Sequence, residues 1–252
     1  MKDEKKYKSE PFFMNGNNGI GILLFHGWSS PPDEFLSLAK YLNSFGYTVS
    51  APLLAGHGTK PEDLLGVTWQ EWMQDSQKYL GDLKKQTPRI FVGGISMGGN
   101  LAMLLAEDEN VAGVITMGAS VKFHFQVLVK IGLFFMGLTK TYRKKYYPPW
   151  VRKKMGKHDV YPYYPVKSAK EVVKLAEYTQ NNLSKIRKPI LIMQSTTDHL
   201  VSHKSPKMIY DGVNSEVKNI FWAEKAYHVF INGEGKEKAF EKIREFISRI
   251  IS

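Results

Sequence analysis

The chain has 252 residues, 43% of them hydrophobic and none of them cysteine. That suits one large domain, or a domain with an insertion, around a sizeable core, and the missing cysteines exclude disulfides, thiolate metal sites and a cysteine nucleophile. The net charge of +11 raises anionic partners, yet no zinc-finger spacing or ribonucleoprotein motif is present, so no nucleic-acid partner is expected.

The opening segment MKDEKKYKSE is almost wholly polar and is expected to be disordered. No apolar stretch follows its lysines, so no signal peptide is read there. Ile20 to Phe25 (IGILLF) is a continuous apolar run, as a strand buried on both faces should be. Residues 33–45 carry Phe35, Leu36, Leu38, Ala39 and Leu42 at helical spacing. Tyr47 to Ala51 reads as a second strand. Thr68 to Lys85 reads as a helix, because Thr68 and Glu71 form a capping-box pattern. A third strand, Arg89 to Ile95, is followed by an apolar helix, Met97 to Asp108, and a fourth strand, Val111 to Met117.

From Ser120 to Arg187 the alternation stops and no clear strand is read. The stretch holds an apolar helix, a basic run, the aromatic segment YPYYP and a helix over residues 168–182. Its most apolar run, VLVKIGLFFMGL, contains Lys130 and is too short to span a bilayer, so a soluble and by default cytoplasmic protein is expected. Alternation returns with the strand Ile190 to Met193, a helix from Pro206, the strand Val217 to Trp222 and a last helix, Lys236 to Ile250. Such alternation implies an α/β fold, a mostly parallel doubly wound sheet. Residues 1–119 and 188–252 are assigned to this core and residues 120–187 to an inserted cap.

Residues 93–100, GGISMGGN, sit between a strand and a helix. Glycines weaken both neighbours, so local stability does not explain them. A glycine-rich turn with an idle serine has the same letters, but strand before and helix after is the context of a nucleophile elbow. Such a turn holds Ser96 in a strained conformation at the sheet's C-terminal edge, above a helix N-terminus suited to an oxyanion.

A serine hydroxyl needs a base, usually histidine held by a carboxylate. Among seven histidines, His228 follows the strand ending at Trp222, and Asp198 follows the strand ending near Gln194. Both lie on the rim that carries Ser96. His199 and His203 share the Asp198 loop, His124 and His158 lie in the insertion, and Asp211 is an alternative acid at a predicted helix. HGW, directly after the first strand, can supply a backbone N–H facing the one after the nucleophile. Trp28 and Met97 are therefore the expected oxyanion donors. His26 and His57, the latter within GHGT, are read as structural or pocket-lining.

In this order, HGW, GHGT, GISMGG, TTDHLV and YHV resemble an α/β-hydrolase of the bacterial carboxylesterase and monoacylglycerol lipase branch, from about Gly19 onward. YPVKSAKEVVKLAEYTQNNLSKIRKPILIMQSTTDHLV resembles the same branch through the second half of its cap. The resemblance implies the triad Ser96, Asp198 and His228, the oxyanion donors Trp28 and Met97, and a cap that shapes the acyl and alcohol pockets. Several monoacylglycerol lipases of this branch bind the glycerol hydroxyls with a cap glutamate; the matching place here holds His158.

These expectations amount to a serine carboxylester hydrolase acting through an acyl-enzyme on short-to-medium acyl esters, without metal or organic cofactor. Monoacylglycerols are candidate substrates. A thioesterase or amidase would use the same triad, and a non-catalytic relative that binds ligands is the rival from another class. Phe125, Leu128, Phe134 and His158 are the expected pocket residues. Outward-facing Phe134 and Phe135 would form an apolar surface touching lipid, weakly, or another subunit; the oligomeric state is open. Lys140, Arg143, Lys144, Lys145, Arg152, Lys153, Lys154 and Lys157 form either a solvated face or a patch meeting anionic headgroups or acidic substrates.

Overall fold

The computed structural model describes residues 8–124, 126–139, 141–147, 149, 160–224, 226–233 and 235–252. Seven strands form one sheet in the spatial order β1-β3-β2-β4-β5-β8-β9. They are β1 (Phe12–Met14), β2 (Ile20–Phe25), β3 (Thr48–Ala51), β4 (Arg89–Ile95), β5 (Val111–Met117), β8 (Ile190–Ser195) and β9 (Lys218–Ala223). Only β1 runs antiparallel.

Successive side chains of a strand point to opposite faces, and here both faces are covered. Leu23, Phe25, Val92 and Ile192 join one apolar core. Ile22, Leu24, Phe91 and Met193 join the other. This is why the central strands read as unbroken apolar runs. Helices α2 (Trp69–Lys84), α3 (Met97–Leu104) and α6 (Ser205–Gly212) cover the first face through residues such as Trp72, Leu101 and Ile209. Helices α1 (Leu36–Asn43) and α7 (Lys236–Ile251) cover the second through Leu38, Leu42, Phe240 and Phe246. The box at Thr68 is formed: its side chain accepts the Glu71 N–H, and the Glu71 carboxylate accepts the Thr68 N–H at 2.8 Å.

Between β5 and β8 lie α4 (Gln126–Thr139), β6 (Tyr142–Lys144), β7 (Tyr163–Pro165) and α5 (Val166–Asn181). Helix α5 has two apolar faces in use. Val172 and Leu175 enter the main core, while Val166, Ala169 and Val173 pack with Leu133 of α4 in a small separate cluster. Strands β6 and β7 form an antiparallel ribbon, Tyr142 opposite Pro165. No strand is legible there from the residues, since three-residue strands carry almost no periodicity. The edge strand β1 was equally silent.

Two helix boundaries also differ from expectation. Residues 32–35 form a 3₁₀ turn started by Pro32, and the α-helix begins only at Leu36. Leu36 is consequently exposed, while Glu34 is buried. Helix α3 stops at Leu104 and tightens into a 3₁₀ turn, Leu105–Glu107. Of the polar N-terminal segment, residues 1–7 lie outside the described residues, and Ser9 is anchored through its N–H to the Gly58 carbonyl at 3.0 Å. No helix among the described residues is long and apolar enough to cross a membrane.

Candidate active site

The turn from β4 into α3 places Ser96 at φ 53°, ψ −112°, a region that non-glycine residues rarely enter. The flanking glycines answer to backbone approach. A Cβ on Gly94 would lie 2.3 Å from the Gly98 carbonyl carbon, and one on Gly98 would lie 1.9 Å from the Phe25 carbonyl oxygen. Sharp reversal thus needs the bare backbone at these two positions, and it leaves Ser96 at the N-cap of α3, on the wall of a cavity.

Asp198 and His228 occupy the loops after β8 and β9. The Asp198 carboxylate accepts His228 Nδ1–H at 2.6 Å and the Gln194 side-chain amide at 2.8 Å on one oxygen. Its other oxygen accepts the N–H groups of Leu200 and Val201 at 2.8 and 3.0 Å. Burial pushes this carboxyl upward, but His228 and the two N–H groups outweigh it and hold it below the ordinary carboxylate value. Burial likewise pushes His228 downward, while the Asp198 charge and hydrogen bond more than offset that and raise it. Gly118, at φ +62°, makes room for the pair: a Cβ there would lie 3.1 Å from His228 Cε1.

His228 Nε2 is buried and has no hydrogen-bond partner among the described residues. It borders the same cavity as Ser96. Only the Asp198–His228 contact is closed; no hydrogen bond to the Ser96 hydroxyl accompanies it among the described residues. Such bonds commonly tighten only with substrate in place.

The loop after β2 is fixed on every side. His26 Nδ1–H donates to the Gly27 carbonyl at 3.0 Å, and His26 Nε2 accepts the Leu54 N–H at 3.1 Å. His57 Nε2 accepts the Ser29 N–H at 2.8 Å. Burial lowers both rings, His26 to about 4, so both act as neutral braces. Ser29 itself is held at φ 65°. The Trp28 indole donates to Ser168 Oγ of α5 at 2.9 Å and meets the Tyr164 ring edge-on. Gly27 N–H donates to Glu34 at 2.5 Å, and Ser30 N–H to the Gly27 carbonyl. None of these bonds takes up the Trp28 N–H.

Glu34 was not anticipated. It is buried, and desolvation pushes its carboxyl up to about 7 against the opposing pull of Gly27, Ser30, His228 and Lys145. One signal could have found it: it lies one helical turn before Leu38 on the buried stripe, where a charge is out of place. In the sequence Lys145 is one member of a basic run. Its ammonium donates to Ser29 Oγ and lies 5.4 Å from the Trp28 ring centroid.

The cavity has a volume of about 670 Å³, within the roughly 300–1,000 Å³ of small-molecule sites. Its floor is Trp28, Ser96 and His228, and its roof is apolar, with Leu128, Leu133, Met136, Val172 and Val173. Of the expected pocket residues, Leu128 lines it. Phe134 is 59% exposed and lies on the outer side of α4 against Phe135, because Leu133 and not Phe134 takes the inward register. Phe125 and His158 lie outside the described residues, as do Lys140, Arg152, Lys153, Lys154 and Lys157. Met97 is buried at the first position of α3. Among the described residues no cluster of His, Asp and Glu could hold a metal ion.

The likeness to known proteins runs along nearly the whole chain. It is 30% identical over 246 residues to a thermostable monoacylglycerol lipase of Bacillus sp. (strain H-257), covering 96% of this chain and 95% of that one. A carboxylesterase of Bacillus subtilis (strain 168) is 24% identical over 246 residues, with 96% and 97% covered. Among solved structures, one from work on LipS and LipT, two metagenome-derived lipolytic enzymes, has a TM-score of 0.85 at 28% identity and covers 96% of this chain and 98% of its own. Residues 19–235 match the family described as serine aminopeptidase, S33, and the protein, a serine hydrolase of the α/β-hydrolase fold, belongs to that family.

Proposed function

We propose that this protein hydrolyses carboxylic esters of short-to-medium acyl chains, monoacylglycerols among them, through an acyl-enzyme on Ser96. The observation that carries the reading is the buried Asp198–His228 pair sharing one cavity with the strained Ser96. In this mechanism His228 Nε2 takes the Ser96 proton as the hydroxyl oxygen attacks the ester carbonyl, and Asp198 steadies the imidazolium. The backbone N–H groups of Trp28 and Met97 bind the oxyanion, an effect worth about 3–4 kcal/mol per donor in well-studied hydrolases. His228 then protonates the leaving alcohol. Water, deprotonated by the same ring, releases the acid and restores Ser96. Relatives named as a monoacylglycerol lipase and a carboxylesterase support the ester class.

In this reading residues 120–187 act as a cap, with the acyl chain under α4 and α5. The outer side of α4, where Phe134, Phe135 and Leu138 are exposed, makes weak contact with lipid surfaces that deliver the substrate. The test is a graded series of p-nitrophenyl esters and monoacylglycerols on wild type and Ser96→Ala. Turnover that survives in Ser96→Ala, or is absent from wild type, removes the reading.

A further inference from the structure

The cavity wall is electrically one-sided. Arg143, Lys144 and Lys145, consecutive on and after β6, all line it, and among the described residues no aspartate or glutamate does. Among the described residues none of the three is ion-paired: Arg143 donates to the Met136 sulfur at 3.0 Å, and the Lys145 ammonium to the Ser29 hydroxyl. The Glu34 carboxyl favours the charged form of Lys145, but it is held on the Gly27 N–H and is not part of the lining. A solvated lysine face would point its ammonium groups at water. Here Lys145 turns inward, to the loop that carries the Trp28 N–H.

We propose that Lys145, with Arg143 and Lys144 at the rim, selects esters whose leaving alcohol bears an anionic group, a phosphate or a carboxylate. The inference rests on the ester-hydrolase reading and names the substrate class of that same site. Position decides which half of the ester is charged. The roof of Leu128, Leu133, Met136, Val172 and Val173 suits a hydrocarbon chain. Lys145 instead meets the Trp28 ring and the Ser29 hydroxyl, on the loop whose Trp28 N–H binds the oxyanion in this reading, and so is assigned to the alcohol half. An ammonium has three donors and one is used, so an anionic oxygen completes its shell. Burial presses the Lys145 amine down to about 7, and an anion beside it restores the charged form. Arg143 and Lys144, both exposed, add a field of one sign at the entrance of a cleft, which raises the local concentration of anions.

The test compares matched octanoyl esters: 4-hydroxybenzoate against methyl 4-hydroxybenzoate, and glycerol 3-phosphate against glycerol. The quantity is kcat/KM for the charged ester over the neutral one, in wild type, Lys145→Met and the rim variant Arg143→Gln/Lys144→Gln. In at least one pair the wild-type ratio is expected to exceed the Lys145→Met ratio by about tenfold, the size of one charge-assisted hydrogen bond; the pair that responds tells carboxylate from phosphate. The rim variant is expected to lower the ratio less and to flatten its decline with added salt. Ratios unchanged by Lys145→Met in both pairs, with the neutral esters turned over, overturn the charge preference and leave the hydrolase reading standing. No turnover of any of these esters by wild type overturns both. Should Lys145→Met not fold, an unchanged ratio and salt dependence in the rim variant overturn the proposal alone.

Discussion

Glu34 accepts the Gly27 N–H at 2.5 Å from a fully buried position, and so a carboxylate in the first turn after β2 sets the backbone that presents Trp28 to the cavity. Replacing it by alanine leaves the Gly27 N–H without an acceptor, which costs about 1–3 kcal/mol. Glu34→Ala is expected to unfold several degrees earlier in a thermal melt and to lose kcat by roughly tenfold or more, the scale of a displaced oxyanion donor. Glu34→Gln keeps an acceptor oxygen at the same place and should recover most of both. Equal losses in the two variants would mean that the charge, and not the acceptor, is what the loop needs.

As the proposed general base, His228 has to be neutral to take a proton, and its ionisation is raised above the ordinary imidazole value. The sign follows directly. Ester kcat/KM rises with pH through an inflection above about 6.5 and is lost as pH falls below it. Asp198→Asn removes the charge that opposes burial, so the inflection should drop below the ordinary value while kcat falls by roughly 10³–10⁴-fold, as in serine proteases. Glu34, pushed up to about 7, titrates in the same region, so the profile needs repeating in Glu34→Gln. An inflection that stays in place in Asp198→Asn would assign it to another group.

Gly118 gives a sterically defined test of the same pair. Its φ of +62°, and the 3.1 Å that an added Cβ would leave to His228 Cε1, mean that a methyl group both strains the backbone, by about 1–3 kcal/mol, and presses on the ring. Gly118→Ala is expected to fold, to melt lower, and to lose kcat far more than substrate affinity. A variant with wild-type kcat would show that the ring has slack to move.

The fold was legible because the central strands are buried on both faces: IGILLF and RIFVGGI cannot be placed elsewhere at a helical or alternating period. Ser96, Asp198 and His228 were legible for another reason, since each follows a strand whose end could be read. Glu34, Gln194 and Gly118 were not. Their roles depend on how each loop folds, as when Gln194 reaches Asp198 four residues on, Glu34 reaches back to the Gly27 N–H, and Gly118 leaves space for the ring of His228. Lys145 was hidden inside a run of like charges, where composition cannot tell an inward residue from a solvated one. The ribbon β6–β7 was too short for a period, and Pro32 moved the start of α1 by altering the turn before it.

On the outer side of α4, Phe134 and Phe135 stack edge to face while 59% and 61% exposed, beside Leu138 at 70%. Contiguous apolar exposure of this kind marks a contact surface more often than chance. Because these rings pack little against the interior, Phe134→Ser/Phe135→Ser should change stability by only about 0.5 kcal/mol. If the face meets lipid, the double variant retains turnover of a water-soluble p-nitrophenyl ester and loses its co-sedimentation with vesicles, along with activity on monoacylglycerol presented in them. Lys130, paired with Glu177, and Lys170, lying over the Phe134 ring, border the same face, so binding should strengthen with anionic lipid and weaken with salt. If the face instead meets a second copy of the chain, the wild type will sediment as a dimer and the variant as a monomer, with vesicle binding unchanged. The two outcomes separate a lipid-facing cap from a subunit interface by measurements that do not depend on catalysis.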